Sequence, residues 1–536
     1  MNNAGNTAGY DIDAVVVGAG FAGMAMVRKL RELDFTVRCF EHGSDVGGTW
    51  YWNRYPGARC DAPSMQYSYQ FSEELQQDWH WTEIYAAQPE ILSYAQHVAD
   101  RFSIRDHITF NTSITQAHYD EKTACWEVET DAGESLRARF CIMATGNLSS
   151  RLKPNFEGLD DFAGSWYQTS NWPHEQVDFT GKRVGVVGTG STGIQAIPVI
   201  AEQAKQLSVF QRTPQFSVPA NNAPQDLEYE ANIKADYANF RAQNYTKPLA
   251  MAIDVKRNPL KTFDVDEHER RERFEASWNQ GGIAMQFTFR DSATTMEGNE
   301  ALSDYLRDKI GEIVADPATA ELLKPKHIFG CKRPCIDTDY FATYNRDNVT
   351  LVDCSAGIER ITASGIQVDG VEHELDIIVF ATGFDAITGT LNNIDIRGRR
   401  GLALKDKWAD GPRAYLGLQS AGFPNLFTIS GPGSPSVLTN MVPTIEQHVN
   451  WIGDCLAHLR DAALATIEAR QDAEDPWVER VQALADSTLW GACDNWYTGG
   501  NVAGKARVFP IYVDWVSYRE KCEEVVANGY EGFALG

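Results

Sequence analysis

The chain has no C-x-x-C pair among its ten cysteines, and Cys331 and Cys335, the closest two, have three residues between them. Such spacing excludes a redox dithiol read from neighbouring thiols, so reduced, mostly buried cysteines in a reducing compartment are expected. No apolar run reaches the roughly 20 residues that span a bilayer. The longest uncharged apolar stretch, residues 14–27, contains three glycines and follows Asp11 and Asp13 rather than a basic segment. A signal peptide and a membrane span are both disfavoured, and a cytoplasmic location is expected. Cations are also scarce: 48 Lys and Arg face 73 Asp and Glu, a net charge of -25. That balance opposes broad contact with nucleic acid or anionic lipid, leaving small, locally bound partners. No residue cluster suggests a metal site.

What remains is a globular composition, 43% hydrophobic and 23% charged, over 536 residues. That length is more than one core needs, and two or three domains are expected. Residues 1–10 are small and polar and read as a loose tail. Residues 13–17 form a β-branched run ending in glycines, the pattern of a buried parallel strand feeding a tight turn. Residues 21–33 read as a helix and 36–40 as a second strand, ending on Glu41. The pattern then recurs, with a strand over 182–187, a helix from the next glycines to Ala204, and a strand over 207–210 ending at Gln211 and Arg212.

Two such units predict an α/β fold with two Rossmann-like dinucleotide-binding domains. From about 219 to 326 the texture turns charged and helical in period, with Leu302, Tyr305, Leu306, Ile310, Ile313 and Val314 on one face. This reads as a helical insertion. Strands over 140–143 and 376–380 each run into Ala-Thr-Gly, at Gly146 and Gly383, and these repeats mark crossings between domains. The expected division is 11–146 with 384–536 for the first nucleotide domain, 147–218 with 327–383 for the second, and 219–326 for the insertion.

Each unit carries G-x-G-x-x-G, as Gly18, Gly20, Phe21, Ala22 and Gly23, and as Gly188, Thr189, Gly190, Ser191, Thr192 and Gly193. One such motif is weak evidence, but each here follows a strand, opens a helix and has its ribose-reading position about twenty residues on. The glycines let a pyrophosphate approach the N–H groups at the positive end of the helix dipole. Glu41 suits the ribose of FAD and would repel a 2′-phosphate. Gln211 removes that acid in the second unit, where Arg212 and Thr213 offer a cation and a hydroxyl, favouring NADP(H) over NAD(H).

The segment Gly47, Gly48, Thr49, Trp50, Tyr51, Trp52, Asn53, Arg54, Tyr55, Pro56, Gly57, Ala58, Arg59, Cys60, Asp61 is the most specific. It resembles the Gly-Gly-x-Trp, aromatic-Pro-Gly and terminal Asp of type I Baeyer–Villiger monooxygenases. Cys331-Lys332-Arg333-Pro334, Ala381-Thr382-Gly383-Phe384-Asp385, Gly431-Pro432-Gly433-Ser434-Pro435 and Ser487-Thr488-Leu489-Trp490 extend the resemblance, to the cyclohexanone and phenylacetone monooxygenase branch, over nearly the whole chain from Asp11.

The resemblance implies that NADPH reduces FAD, that oxygen adds to the reduced flavin, and that the resulting peroxide attacks a ketone to give an ester or lactone, with thioethers as side substrates. It implies Arg333 as the cation that stabilises the developing negative charge, held by Asp61. It further implies FAD contacts at Gly48, Thr49, Trp50, Asp61, Tyr67, Ile114 and Met441. NADP contacts are implied at Arg59, Gln195, Lys332, Arg333 and Trp496, and a substrate pocket bordered by Ser436, Val437 and Leu438. A monomer or weak oligomer is expected. The rival reading is a heteroatom (S or N) flavin monooxygenase, against which Asp61 and Arg333 speak. One position departs from the family's Phe-x-Gly-x-x-x-His-x-x-x-Trp-Pro pattern: Phe162, Gly164, Trp172 and Pro173 fit, but Gln168 stands where the histidine belongs. Glutamine hydrogen-bonds but carries no charge.

Overall fold

The first β-branched run forms the strand Ile12–Val17, whose last four residues are buried on both faces. Such two-sided burial is found in parallel sheets covered by helices. This strand pairs in parallel with Val37–Phe40 on one side and Ser135–Met143 on the other. The helix Phe21–Glu32 returns the chain between the first two strands and buries Met24, Val27 and Leu30. The computed structural model describes residues 9–252 and 258–536; most of the expected loose tail lies outside the described residues.

Among the described residues the first sheet has eight strands. Its far side is a meander of which sequence singled out only residues 140–143; in it Ile114–Asp120, Cys125–Thr130 and Ser135–Met143 pair antiparallel. Two late strands, Asp395–Arg397 and Leu426–Thr428, join the same sheet, so chain from beyond residue 384 completes it. The 21-residue helix Met441–Asp461 supplies apolar cover, as Val442, Ile445, Val449 and Ile452 share a buried cluster with Met24, Val27 and Leu30.

The second sheet is wholly parallel, in the order Val349–Asp353, Gln206–Gln211, Arg183–Val187, Ile377–Phe380, Ser165–Gln168. Its leading helix, Ser191–Gln203, contains Pro198 and buries Ile194, Ile197 and Ile200. A small antiparallel meander, Arg360–Ile361, Gly365–Val368 and Val371–Glu374, flanks it.

Between the two lies a helical stretch: Leu227–Ala235, Tyr237–Asn244, Glu267–Gln280, Met296–Ile313 and Pro317–Leu323. Asp226, Asp266, Thr295 and Asp316 begin four of these by accepting a first-turn N–H on their side chains, which satisfies donors that a helix start leaves open. The helix Met296–Ile313 serves two cores. Leu302, Tyr305 and Leu306 pack with Phe274 and Phe289, while Ile310 and Val314 pack with Val184 and Ile197 under the second sheet. Among the described residues, no helix is long and apolar enough to cross a membrane, and no group of three or more His, Cys, Asp and Glu is placed to hold a metal ion.

Candidate active site

The two glycine turns are built by close backbone contact. A Cβ on Gly23 would lie 1.8 Å from the Gly18 carbonyl oxygen, and one on Gly193 would lie 2.1 Å from that of Gly188. Only glycine lets each helix start this near its strand. Both helices also begin without a side-chain cap and without an acid in the first turn, unlike the five helices between the sheets, each of which has a side-chain cap. Uncapped N–H groups at the positive end of a helix are what an incoming pyrophosphate needs. Both turns therefore fit a dinucleotide.

Behind the first turn, the buried Glu41 accepts from the Ala19 N–H at 2.7 Å and the Gly43 N–H at 2.6 Å. Its carboxylate thereby shapes the turn. Gly48, Thr49 and Trp50 lie over the turn, with a Cβ on Gly48 reaching within 2.8 Å of the Gly20 Cα. The Trp50 indole donates to the Tyr67 hydroxyl at 3.1 Å. Ile114 begins a strand of the same sheet, buried beneath it, and Met441 opens the long covering helix.

At the second turn, Thr189 donates to the Thr213 carbonyl at 3.0 Å beside the exposed Arg212. Burial and the neighbouring positive charge of Arg212 both lower the pKa of Lys332. A lysine made less comfortable as a cation by a neighbouring arginine suits a phosphate. Gln195 joins this turn to the segment ending at Asp61, accepting from the Tyr55 hydroxyl at 2.8 Å and donating to the Arg59 carbonyl at 3.0 Å. The Arg59 guanidinium itself pairs with Glu83.

Asp61 and Arg333, 272 positions apart in sequence, meet between the two turns. Arg333 donates from Nε at 3.0 Å and from Nη2 at 2.6 Å to one oxygen of Asp61, and from Nη1 to the Val437 carbonyl at 2.7 Å. Burial alone would lower the arginine pKa, but the Asp61 charge outweighs it and raises the value. The cation is therefore permanent and its plane is fixed on three sides.

Asp61 and Arg333 open onto a cavity whose other walls are largely apolar. Val437 and Leu438 line it as expected, whereas Ser436 does not, its hydroxyl accepting from Asn147 at 2.9 Å. The insertion contributes Leu249, Met251, Ile283 and Met285, and the C-terminal segment contributes Trp490 and Tyr497. None of these four insertion residues was marked by sequence; the apolar stretch around residues 282–287, breaking a charged helical texture, is the signal that could have found them.

A profile of the pyridine nucleotide-disulphide oxidoreductase family matches residues 15–268. The Baeyer–Villiger monooxygenase of Pseudooceanicola batsensis is 43% identical over 530 residues, covering 98% of this chain and 96% of that protein. A crystallised oxidized steroid monooxygenase bound to NADP superposes with a TM-score of 0.94 at 48% identity, covering 98% and 99% of the two chains. The phenazine N-monooxygenase PhzNO1 of Lysobacter antibioticus is 41% identical, covering 98% and 97%. The chain belongs to the Baeyer–Villiger monooxygenase family.

Within this Baeyer–Villiger fold one expectation needs correction. Cys331 is not a reduced thiol: it forms a disulfide with Cys493, 162 residues away, while the other eight cysteines are free and buried. Local spacing argued against a dithiol because it sees only neighbours in sequence, whereas the fold brings these two Cα atoms to 5.7 Å. The bond has company, since Lys332 donates to the Asp494 carbonyl at 2.6 Å and Asn495 donates to the Cys331 carbonyl at 2.6 Å. The segment carrying the half-buried Trp496 is thereby sewn to the loop carrying Arg333. Gln168, where the family pattern has histidine, is buried on the edge strand of the second sheet and donates to the Leu152 carbonyl at 2.6 Å.

Proposed function

We propose that this enzyme holds FAD on the first glycine turn and NADP(H) on the second, and converts an apolar ketone, O2, NADPH and a proton to an ester or lactone, NADP+ and water. The observation that carries this reading is the Asp61–Arg333 pair set in the wall of an apolar cavity between the two turns. When bound, FAD reduced by NADPH supplies the activated oxygen.

The chain's own residues do the rest. Gly18, Gly20 and Gly23 let the FAD pyrophosphate reach the first helix, and Glu41 receives its ribose. Arg212, Lys332 and Thr213 take the 2′-phosphate of NADP(H), and Trp496 covers its nicotinamide end. Arg333 meets the negative charge that collects on the carbonyl oxygen as the new C–O bond forms, and Asp61 keeps the guanidinium from turning away. The apolar walls admit the ketone and keep water from the reacting carbon. We place the enzyme in the cytoplasm, a reading supported by its eight free, buried cysteines, and as a monomer or weak oligomer, supported by its net charge of -25.

Thioethers are proposed as secondary substrates. A second reading, oxidation of a ring nitrogen, is favoured by the likeness to a phenazine N-monooxygenase, and the same experiment separates the two. Purified enzyme is given NADPH and O2 with cyclohexanone, phenylacetone, a steroid ketone, a thioether and phenazine, and products and hydrogen peroxide are measured together. Esters from at least one ketone are expected; N-oxide or sulfoxide without any ester overturns the ketone assignment. In Arg333→Ala ester formation falls by about 100- to 1000-fold, the loss typical of removing a charge-stabilising donor. Retained ester yield would remove Arg333 from that role.

A further inference from the structure

Tyr497 belongs to none of the motifs that sequence offers, yet it stands in the cavity wall beside Asp61 and Arg333. It is 3% exposed. The Trp496 ring lies 4.1 Å away on one side and Phe509 lies 5.8 Å away on another, so the phenol ring has little freedom. Its phenol interacts electrostatically with the Arg333 guanidinium, which shares that wall. A guanidinium offers donors only, so it has no use for the phenol proton, which is left for a partner in the cavity.

Burial keeps the proton in place, pushing the Tyr497 pKa up to about 12 despite the nearby Arg333, whose charge lowers it. Across the working range of an enzyme the group is therefore a donor and never a phenolate. Arg333 has spent its Nε and parts of both Nη groups on Asp61 and the Val437 carbonyl, so a second donor to the cavity is valuable there.

We propose that Tyr497 is a catalytic residue: its hydroxyl, held in the cavity wall beside Arg333, donates to the carbonyl oxygen of the bound ketone, forming with Arg333 a two-donor site for the charge that develops on that oxygen. No proton is transferred; the phenol keeps its hydrogen and the bond shortens as negative charge grows. The assignment rests on the ketone reading above and adds a residue and a contact to it.

The test is Tyr497→Phe in the FAD-loaded enzyme, which removes one oxygen and keeps the packed ring. Three quantities are measured: the rate at which NADPH bleaches the visible flavin absorbance without oxygen, the dissociation constant of caprolactam with NADP+ present, and ester formed per NADPH consumed. Caprolactam is an unreactive cyclic amide whose carbonyl oxygen is a strong acceptor, so it reports the contact without turnover. The expected result is bleaching within about twofold of wild type, caprolactam binding about tenfold weaker, and ester per NADPH down about 10- to 100-fold with the difference appearing as hydrogen peroxide.

Unchanged caprolactam binding and unchanged ester yield overturn the proposal. Loss of bleaching in step with loss of ester also overturns it, since Tyr497 would then act by placing Arg333 for the nicotinamide step. If wild type forms no ester from any ketone while Tyr497→Phe still weakens caprolactam, the carbonyl contact stands and the ketone reading fails.

Discussion

The two glycine turns share a backbone and differ in what closes behind them. At the first, Gly48 presses on Gly20 and the Glu41 carboxylate takes two backbone N–H groups. At the second, a Cβ on Gly190 would meet nothing within 4 Å, and the position of the acid is held by Gln211, whose amide donates to the Leu322 carbonyl at 2.8 Å beside the exposed Arg212. The helix-start device is common to both, so it selects for a pyrophosphate and for nothing finer. The two units differ at the end of the second strand of each, where one turn is backed by an anion and the other by a cation.

The largest effect that would break this comparison comes from the glycines themselves. Gly193→Ala places a methyl group 2.1 Å from a backbone oxygen that cannot move without its strand. A loss of at least about 1–3 kcal/mol of stability is expected, with NADPH binding lost as well. Gly190→Ala meets no such obstacle. It should melt within about 2 °C of wild type, retain FAD and still bind NADPH poorly, because the ligand's pyrophosphate and not the protein needs that space. Thermal melting with flavin content and the Michaelis constant for NADPH separates these outcomes. Equal destabilisation by both variants would show that the second turn is as closed as the first.

A smaller effect sharpens the comparison at the strand end. Arg212→Ala removes a charge-assisted contact of about 1.5–3 kcal/mol, so the Michaelis constant for NADPH should rise about 10- to 100-fold while that for NADH stays within about twofold. Steady-state kinetics with both coenzymes measures it. Equal weakening of both would mean that Arg212 contacts something other than the 2′-phosphate and that the contrast with Glu41 is incidental.

The same comparison shows where sequence reading succeeds. Both glycine turns, their strands and helices, and the pairing of Asp61 with Arg333 were legible, because each depends on local spacing or on a motif with a fixed chemical purpose. The helix face of Leu302, Tyr305 and Leu306 was legible for the same reason. What was missed depends on contacts made across the chain. The Cys331–Cys493 bond spans 162 residues, and the first two strands of the meander, Ile114–Asp120 and Cys125–Thr130, alternate too briefly to stand out. Leu249, Met251 and Tyr497 carry no pattern of their own, and the apolar stretch around 282–287 does not say what it lines; they become a site only when the insertion and the C-terminal segment fold over Arg333. Ser436 shows the converse, a residue placed at the pocket by analogy whose hydroxyl is used by Asn147 instead.

The smallest expected effect concerns Gln168, the departure from the family pattern between the two turns. Its amide donates to the Leu152 carbonyl, which also receives the Thr382 hydroxyl at 3.2 Å, so the bond ties together the two crossings that lead from one sheet to the other. A neutral histidine can make the same donation through one ring nitrogen, but a charged one would have to be stabilised at a buried site. Gln168→His should therefore leave melting within about 2 °C and the ratio of ester to NADPH consumed within about twofold at pH 8, where imidazole is neutral. Gln168→Ala, which leaves the linkage unmade, should cost about 1 kcal/mol and raise the share of hydrogen peroxide. If histidine and alanine raise peroxide alike, the bond to Leu152 is not what couples the two turns, and the residue's shape rather than its donor is what the hinge requires.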